Sequence, residues 1–271
     1  MAAAASFLQA KANNGKWHLR IEDLDPPREE KGAKDKILKT LDAYKLHWDD
    51  KVICQSHNLD LYHSVLADLK YLGLTYNCQC SRKGLQSSPI YPGICRNKNH
   101  LAKNTATRII TDNINITVAD LATGDNNWRL ESEVGDFIIK RKDGLFSYQL
   151  AVVVDDARFG VSEVIRGIDL IEQTPKQIYL QQLLGYITPR YGHVPLATHP
   201  DGTKLSKQTQ APELGLSQKS ISGSIFTALE FLKQNPPTEL KKANSNELWQ
   251  WAIENWDIKR LKGKLTASKQ Y

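Results

Sequence analysis

Lys16-Trp17-His18-Leu19-Arg20-Ile21-Glu22-Asp23-Leu24-Asp25-Pro26-Pro27 is the stretch on which the fold class turns. Trp17, Leu19 and Ile21 alternate with His18 and Arg20, which is the period of a strand. Pro26-Pro27 ends it, because proline has no amide to give a ladder. Glu22, Asp23 and Asp25 therefore stand at a strand's carboxyl end. Upstream, Ala4, Phe7, Leu8 and Ala12 share one face of a helix that Asn13-Asn14-Gly15 stops. Downstream, the pattern predicts a helix over 33–44, a short strand around Val52-Ile53 and a helix over 59–72. Alternation of this kind builds a parallel α/β architecture.

From Thr75 to about Leu145 the texture changes to cysteines, Ser/Pro/Gly turns and short alternating runs such as Arg108-Ile109-Ile110, which reads as an inserted subdomain. A strand over 136–141 meets the turn Lys142-Asp143-Gly144, and the chain returns to the main body through the apolar run 146–154. A buried strand is expected over 161–165, and helices over 173–184, 225–232 and 248–253.

The 271 residues suffice for a sizeable core, and 41% hydrophobic with 24% charged residues is ordinary globular usage, so whole-chain disorder is excluded. The densest apolar run, Leu150-Ala151-Val152-Val153-Val154, stops at Asp155-Asp156, far short of a membrane span. No basic residue precedes the apolar opening, so a secretory leader is not indicated and a cytoplasmic, non-membrane protein is expected. The net charge of +6 leans slightly toward a polyanionic partner.

Three groups of residues could carry chemistry. Cys78-Gln79-Cys80 and Cys95 could grip a soft cation, or could be ordinary buried thiols. On spacing alone His100 or Cys54 would be the usual fourth ligand, and Tyr91 a poor one because a phenol titrates near ~10. Lys204-Leu205-Ser206-Lys207-Gln208 follows His199-Pro200-Asp201-Gly202-Thr203. It is either a solvated basic turn or a loop whose lysines follow the charge that builds as pyrophosphate leaves a nucleotide. Glu22, Tyr148 and Arg166 form the third group, against which stand surface ion pairs, a core tyrosine and an Arg166–Asp169 bridge. Asp155-Asp156 could bind a metal, although adjacent acids after a strand suit a turn or a helix cap better.

Four stretches occur together in order: Arg20-Ile21-Glu22-Asp23-Leu24-Asp25-Pro26-Pro27-Arg28, Gly144-Leu145-Phe146-Ser147-Tyr148-Gln149-Leu150-Ala151-Val152-Val153-Val154-Asp155-Asp156, Val164-Ile165-Arg166-Gly167-Ile168-Asp169-Leu170 and Lys204-Leu205-Ser206-Lys207-Gln208. In this conjunction the chain resembles the class I glutamyl-tRNA synthetases, most closely their short paralogues, the glutamyl-queuosine tRNA(Asp) synthetases. The likeness runs from residue 3 to about residue 211. It implies a Rossmann-like parallel sheet with an inserted zinc-containing subdomain and a mostly helical C-terminal end. On this reading residues 1–73 are the first half of the catalytic domain, 74–145 the zinc-binding insertion, and 146–271 the second half with a KMSKS-like loop.

The resemblance also implies an activity. ATP activates L-glutamate, which passes to queuosine at the wobble position of tRNA(Asp). Glu22 would hold the glutamate ammonium, Tyr148 and Arg166 would complete the amino-acid pocket, and residues 204–208 would contact ATP, with Lys204 and Lys207 stabilising the transition state. Mg²⁺ would accompany ATP, the anticodon arm would be the RNA partner, and a monomer is expected. Cys78, Cys80, Tyr91 and Cys95 would hold one structural zinc, a bound Zn²⁺ stabilising the phenolate. Family members begin with a strand and a HIGH-type motif, whereas this chain starts inside the helix that follows, so about 30 residues are expected to be missing. An unpaired sheet centre would follow. A non-catalytic tRNA-binding remnant and a fragment of a true glutamyl-tRNA synthetase are the alternative readings.

Overall fold

The computed structural model describes residues 1–81, 83–85, 90–198, 214–263 and 266–268. The chain opens with α1 (Ala2–Ala12), β1 (Arg20–Ile21), α2 (Ala33–Ala43), β2 (Ile53–Cys54) and α3 (Leu59–Tyr71), the alternation read from the sequence. Then come β3 (Thr75–Cys78), β4 (Ala106–Ile109), β5 (Asn115–Asp120), β6 (Gly124–Arg129) and β7 (Ile138–Lys140). The α/β pattern resumes with α4 (Tyr148–Arg158), β8 (Glu163–Gly167), α5 (Thr174–Leu183), β9 (Arg190–Val194) and β10 (Leu196–Thr198). The described chain closes with α6 (Gln218–Phe231), α7 (Ser245–Asn255) and β11 (Thr266–Ser268).

Among the described residues parallel pairing is confined to pairs of strands: β1 with β2, β8 with β9, and β10 with β11. Among the described residues β1 and β8 have no second partner strand. Both line one groove of about 810 Å³, which α1 walls with Ala3, Ser6 and Ala10 and the end of α4 walls with Asp156 and Phe159. The strands β3 to β7 are instead antiparallel, with β4 central between β3 and β7 and a separate β5–β6 hairpin.

Two cores hold these layers. Tyr62, Leu69, Ile109, Ile139, Leu150 and Leu180 bind α3, α4 and α5 to β4 and β7. Phe7, Leu8, Ile225, Leu229, Leu248 and Trp249 bind α1 to α6 and α7, with Phe7 edge-on to both Trp17 and Trp249 at 5.5 Å. The C-terminal helix α7 starts with a reciprocal cap: Asn244 accepts from the Asn246 and Glu247 amides, and Glu247 accepts from Asn244. No helix among the described residues is long and apolar enough to cross a membrane.

Two expectations need correction. Only Arg20–Ile21 of the expected strand 16–21 joins a ladder, because Trp17 is tied by its amide to Asp49 and its ring enters the second core. The run Leu150-Ala151-Val152-Val153-Val154 lies in α4 and is buried all round. A continuous apolar run reads alike for a buried strand and a buried helix, and here it lies inside an eleven-residue helix. Asp155 and Asp156 are therefore neither a turn nor a helix cap. Asp155 accepts from Gln55, Asn58 and Tyr62 at 2.8–2.9 Å, and Asp156 accepts from Arg20 at 2.5 Å.

Candidate active site and cysteine cluster

Glu22, Tyr148 and Arg166 converge, although they come from the residue after β1, the start of α4 and the carboxyl end of β8. All three line a cavity of about 430 Å³ with Arg20, Val152, Asp156, Val164 and Leu170, and the cavity opens into the groove between β1 and β8. Arg20 bridges the cavity's two carboxylates, 2.5 Å from Asp156 and 3.2 Å from Glu22. Burial opposes the charge on Arg20, yet these two acids raise its pKa. Its Nε is buried without a partner, and so remains a donor. Burial pushes the Asp156 carboxyl up against the pull of Arg20.

Arg166 is 8% exposed, and among the described residues no carboxylate pairs with it directly. Its five N–H groups meet neutral acceptors. Nε donates to His193 Nε2 at 3.2 Å, and Nη1 to Gln177 Oε1 at 2.8 Å and Tyr148 Oη at 3.2 Å. Nη2 donates to Thr174 Oγ1 at 2.7 Å and to the Leu170 carbonyl at 3.4 Å. The two weakest Nη bonds go to Tyr148 and Leu170, the acceptors that line the cavity. A ligand carboxylate can take both in a bidentate grip, and it would add a directly bonded counter-charge to a guanidinium whose hydrogen-bond partners are all neutral.

Cys78, Cys80 and Cys95 place their three sulfurs within 4.8 Å of one another. Tyr91 Oη lies 3.4 Å from Cys78 Sγ and 3.6 Å from Cys80 Sγ, and Cys80 Sγ lies 3.6 Å from Cys95 Sγ. A tetrahedral zinc with ordinary bond lengths spaces sulfurs ~3.8 Å apart and a sulfur and an oxygen ~3.5 Å apart, so this donor set fits. Burial raises the Cys95 thiol, but hydrogen bonds from Tyr91, the Gln79 backbone and Cys80 bring it down to about 6, suited to a thiolate ligand. Arg108 stacks over the Tyr91 ring at 3.8 Å. Of the ligands nominated on spacing, Cys54 is held elsewhere by Lys34 Nζ at 3.2 Å, and His100 lies beside Cys95.

Lys204, Leu205, Ser206, Lys207 and Gln208 lie outside the described residues. Arg20, His193 and Thr174 escaped the sequence reading as parts of the site, and Asp156 enters that reading only as a metal ligand, turn or cap. Arg20 and Asp156 left a signal, a cation two residues before Glu22 and an acid directly after an apolar run. His193 left none.

The family model for tRNA synthetases class I (E and Q), catalytic domain, matches residues 1–90 and 93–219. A glutamyl-Q tRNA(Asp) synthetase of Ectopseudomonas mendocina is 48% identical, over 96% of this chain and 88% of its own. One from Pseudomonas paraeruginosa is 44% identical over 100% of this chain and 92% of its own. The crystal structure of a glutamate-tRNA synthetase from Elizabethkingia anophelis superposes with a TM-score of 0.79 at 18% identity. That match covers 98% of this chain, which spans 64% of the Elizabethkingia chain. At such low identity the fold alone is shared: an α/β fold of the glutamyl-tRNA synthetase type. With the family model matching most of its length and curated relatives near half identical almost end to end, the chain belongs to the class I glutamyl- and glutaminyl-tRNA synthetase family, in its glutamyl-Q tRNA(Asp) synthetase branch.

Proposed function

We propose that this chain activates L-glutamate with ATP and transfers it to queuosine in the anticodon arm of tRNA(Asp), as the names of its relatives describe for them. The observation that carries the reading is the convergence of Glu22, Tyr148 and Arg166 on one cavity of mixed charge. Glutamate brings one ammonium and two carboxylates. Glu22 takes the ammonium, and Arg166 with Tyr148 takes the side-chain carboxylate, which leaves the α-carboxylate free to react. That carboxylate attacks the α-phosphorus of ATP, pyrophosphate leaves, and a mixed anhydride results. A hydroxyl of queuosine then attacks the acyl carbon, losing its proton as AMP departs. Lys204 and Lys207, with residues 205, 206 and 208, contact ATP and stabilise the charge on the leaving pyrophosphate. Mg²⁺ accompanies ATP.

Cys78, Cys80, Tyr91 and Cys95 are the residues that would hold a zinc ion. Three thiolates and a phenolate leave no open position, so the ion would clamp the fold of region 74–145, which we read as an insertion between catalytic halves 1–73 and 146–271. The net charge of +6 suits an RNA partner, whose splayed loop bases can be read singly. A cytoplasmic monomer is in keeping with this chemistry.

The test supplies labelled glutamate, ATP and tRNA(Asp) with or without queuosine, then maps the label by nuclease digestion. Label in the anticodon-loop fragment, dependent on queuosine, is expected. Label esterified to the terminal ribose would overturn the proposal.

A further inference from the structure

Behind Arg166, on the side away from the cavity, lies a buried chain of polar groups. His193 sits on β9 directly opposite Arg166 in the parallel β8–β9 register and is fully buried. Its Nε2 accepts from Arg166 Nε at 3.2 Å and lies 3.0 Å from Thr174 Oγ1. Its Nδ1 lies 2.5 Å from Asp120 Oδ2, at the last position of β5. The other carboxylate oxygen of Asp120 accepts three amides, from Ala122 at 2.9 Å, Thr123 at 2.8 Å and His193 at 3.1 Å. Burial opposes ionisation of Asp120, but these bonds, led by that from His193, hold its carboxyl below the ordinary range.

Donor counting settles the proton. Arg166 Nε is always a donor, so Nε2 must offer its lone pair, and the single imidazole proton sits on Nδ1 facing the Asp120 carboxylate. Asp120 thereby fixes the ring's tautomer, and the tautomer fixes the azimuth of the guanidinium.

We infer that Asp120 and His193 are positioning residues that hold Arg166 aimed at the substrate carboxylate, linking the β5–β6 hairpin to the glutamate pocket. The inference rests on the reading of Arg166 as the group that takes that carboxylate. A bidentate carboxylate takes the Nη bonds to Tyr148 and Leu170, so the bound guanidinium is held by Gln177 and Thr174 at its Nη groups and by His193 at Nε. The Nε–His193 bond survives ligand binding, because it points away from the cavity. A negative charge one imidazole away also offsets part of the cost of burying the Arg166 cation without neutralising it.

Asp120→Asn isolates the claim. The asparagine carbonyl can keep the three amide contacts of Oδ1, while its NH₂ group replaces Oδ2 and donates to Nδ1. The ring must then carry its proton on Nε2, donor against donor with Arg166. Nitrogen-15 NMR of the full chain labelled at histidine reads the tautomer, and calorimetric titration reads L-glutamate and ATP separately. The wild-type ring is expected as the Nδ1–H form and the variant as Nε2–H. Glutamate binding should weaken about tenfold while ATP binding changes less than about twofold.

A flipped tautomer with unchanged glutamate affinity overturns the inference, as does a wild-type ring protonated on Nε2. Should Asp120→Asn fail to fold, His193→Gln and His193→Leu decide. The glutamine carbonyl can accept from Arg166 Nε and should retain glutamate affinity within about threefold, whereas leucine should not. Equal affinities in the two variants overturn the inference. Arg166→Gln in the same titration separates the two claims. If it leaves glutamate affinity intact, the substrate reading falls; if it alone weakens binding, only the positioning role falls.

Discussion

The cysteine cluster and the charged cavity are built in opposite ways. Cys78, Cys80, Tyr91 and Cys95 come from one short stretch of chain, and their ligand atoms already touch one another. Glu22, Tyr148 and Arg166 come from three distant elements and face one open space, with Arg166 buried among neutral acceptors. A cluster closed on itself can clamp a fold, whereas an open cavity with a buried cation lacking a directly bonded counter-ion is ready for a ligand. Substitutions in the first region should therefore be felt in stability, and those in the second in substrate binding.

The largest effect is expected at the cavity. Arg166→Gln should lower glutamate-dependent ATP–pyrophosphate exchange ~30-fold or more, since truncating one side of a buried charge contact costs about 2–5 kcal/mol. Its melting temperature should fall little by comparison. A loss of exchange matched by unfolding would erase the contrast between the regions.

Cys80→Ser should do the reverse. Metal content measured by atomic emission should drop, and melting should fall roughly 5–10 °C, the shift that about 2–3 kcal/mol produces in a chain of this size. Unchanged metal content would refute the ligand assignment.

Asp136 sharpens the same contrast, because it pins the antiparallel region to the Arg96 side chain. Burial opposes its charge, but Arg96 at 2.6 Å, Tyr76 and Thr111 hold its carboxyl below the ordinary 3.8. A depressed folded value means the stabilisation is full above the unfolded value and is lost as pH falls through the folded one. Asp136→Asn should cost about 2 kcal/mol at neutral pH, Arg96 being partly exposed. In urea melts, the gap from wild type should close below pH 3.8. A gap constant down to pH 2.5 would contradict this.

The smallest effect is at Tyr62→Phe. Asp155 keeps its bonds from Gln55 and Asn58, so about 1 kcal/mol should be lost, with glutamate binding unchanged. A change in glutamate affinity would show that Asp155 belongs to the pocket rather than to the frame behind it.

Much of the fold was legible because its helices carry clear periodicity and stops. Asn13-Asn14-Gly15 ends α1, and Thr174-Pro175 opens α5. The run Leu150-Ala151-Val152-Val153-Val154 misled because burial on every side removes the period that separates helix from strand. Glu22, Tyr148 and Arg166 could be named as candidates, but only the ordered set of motifs attached a role to them, since none is unusual alone. His193 and Asp120 could not be found that way. Their meaning lies in a parallel register and in one hairpin end reaching β9, neither of which leaves a local mark.

The most direct measurement compares L-glutamate, L-glutamine and glutarate binding to the full chain by calorimetric titration. Glutamine neutralises the carboxylate assigned to Arg166 and Tyr148, and glutarate lacks the ammonium assigned to Glu22. Each is expected to bind at least about tenfold more weakly than glutamate. Glutamine or glutarate binding as tightly as glutamate would contradict the assignment of the cavity.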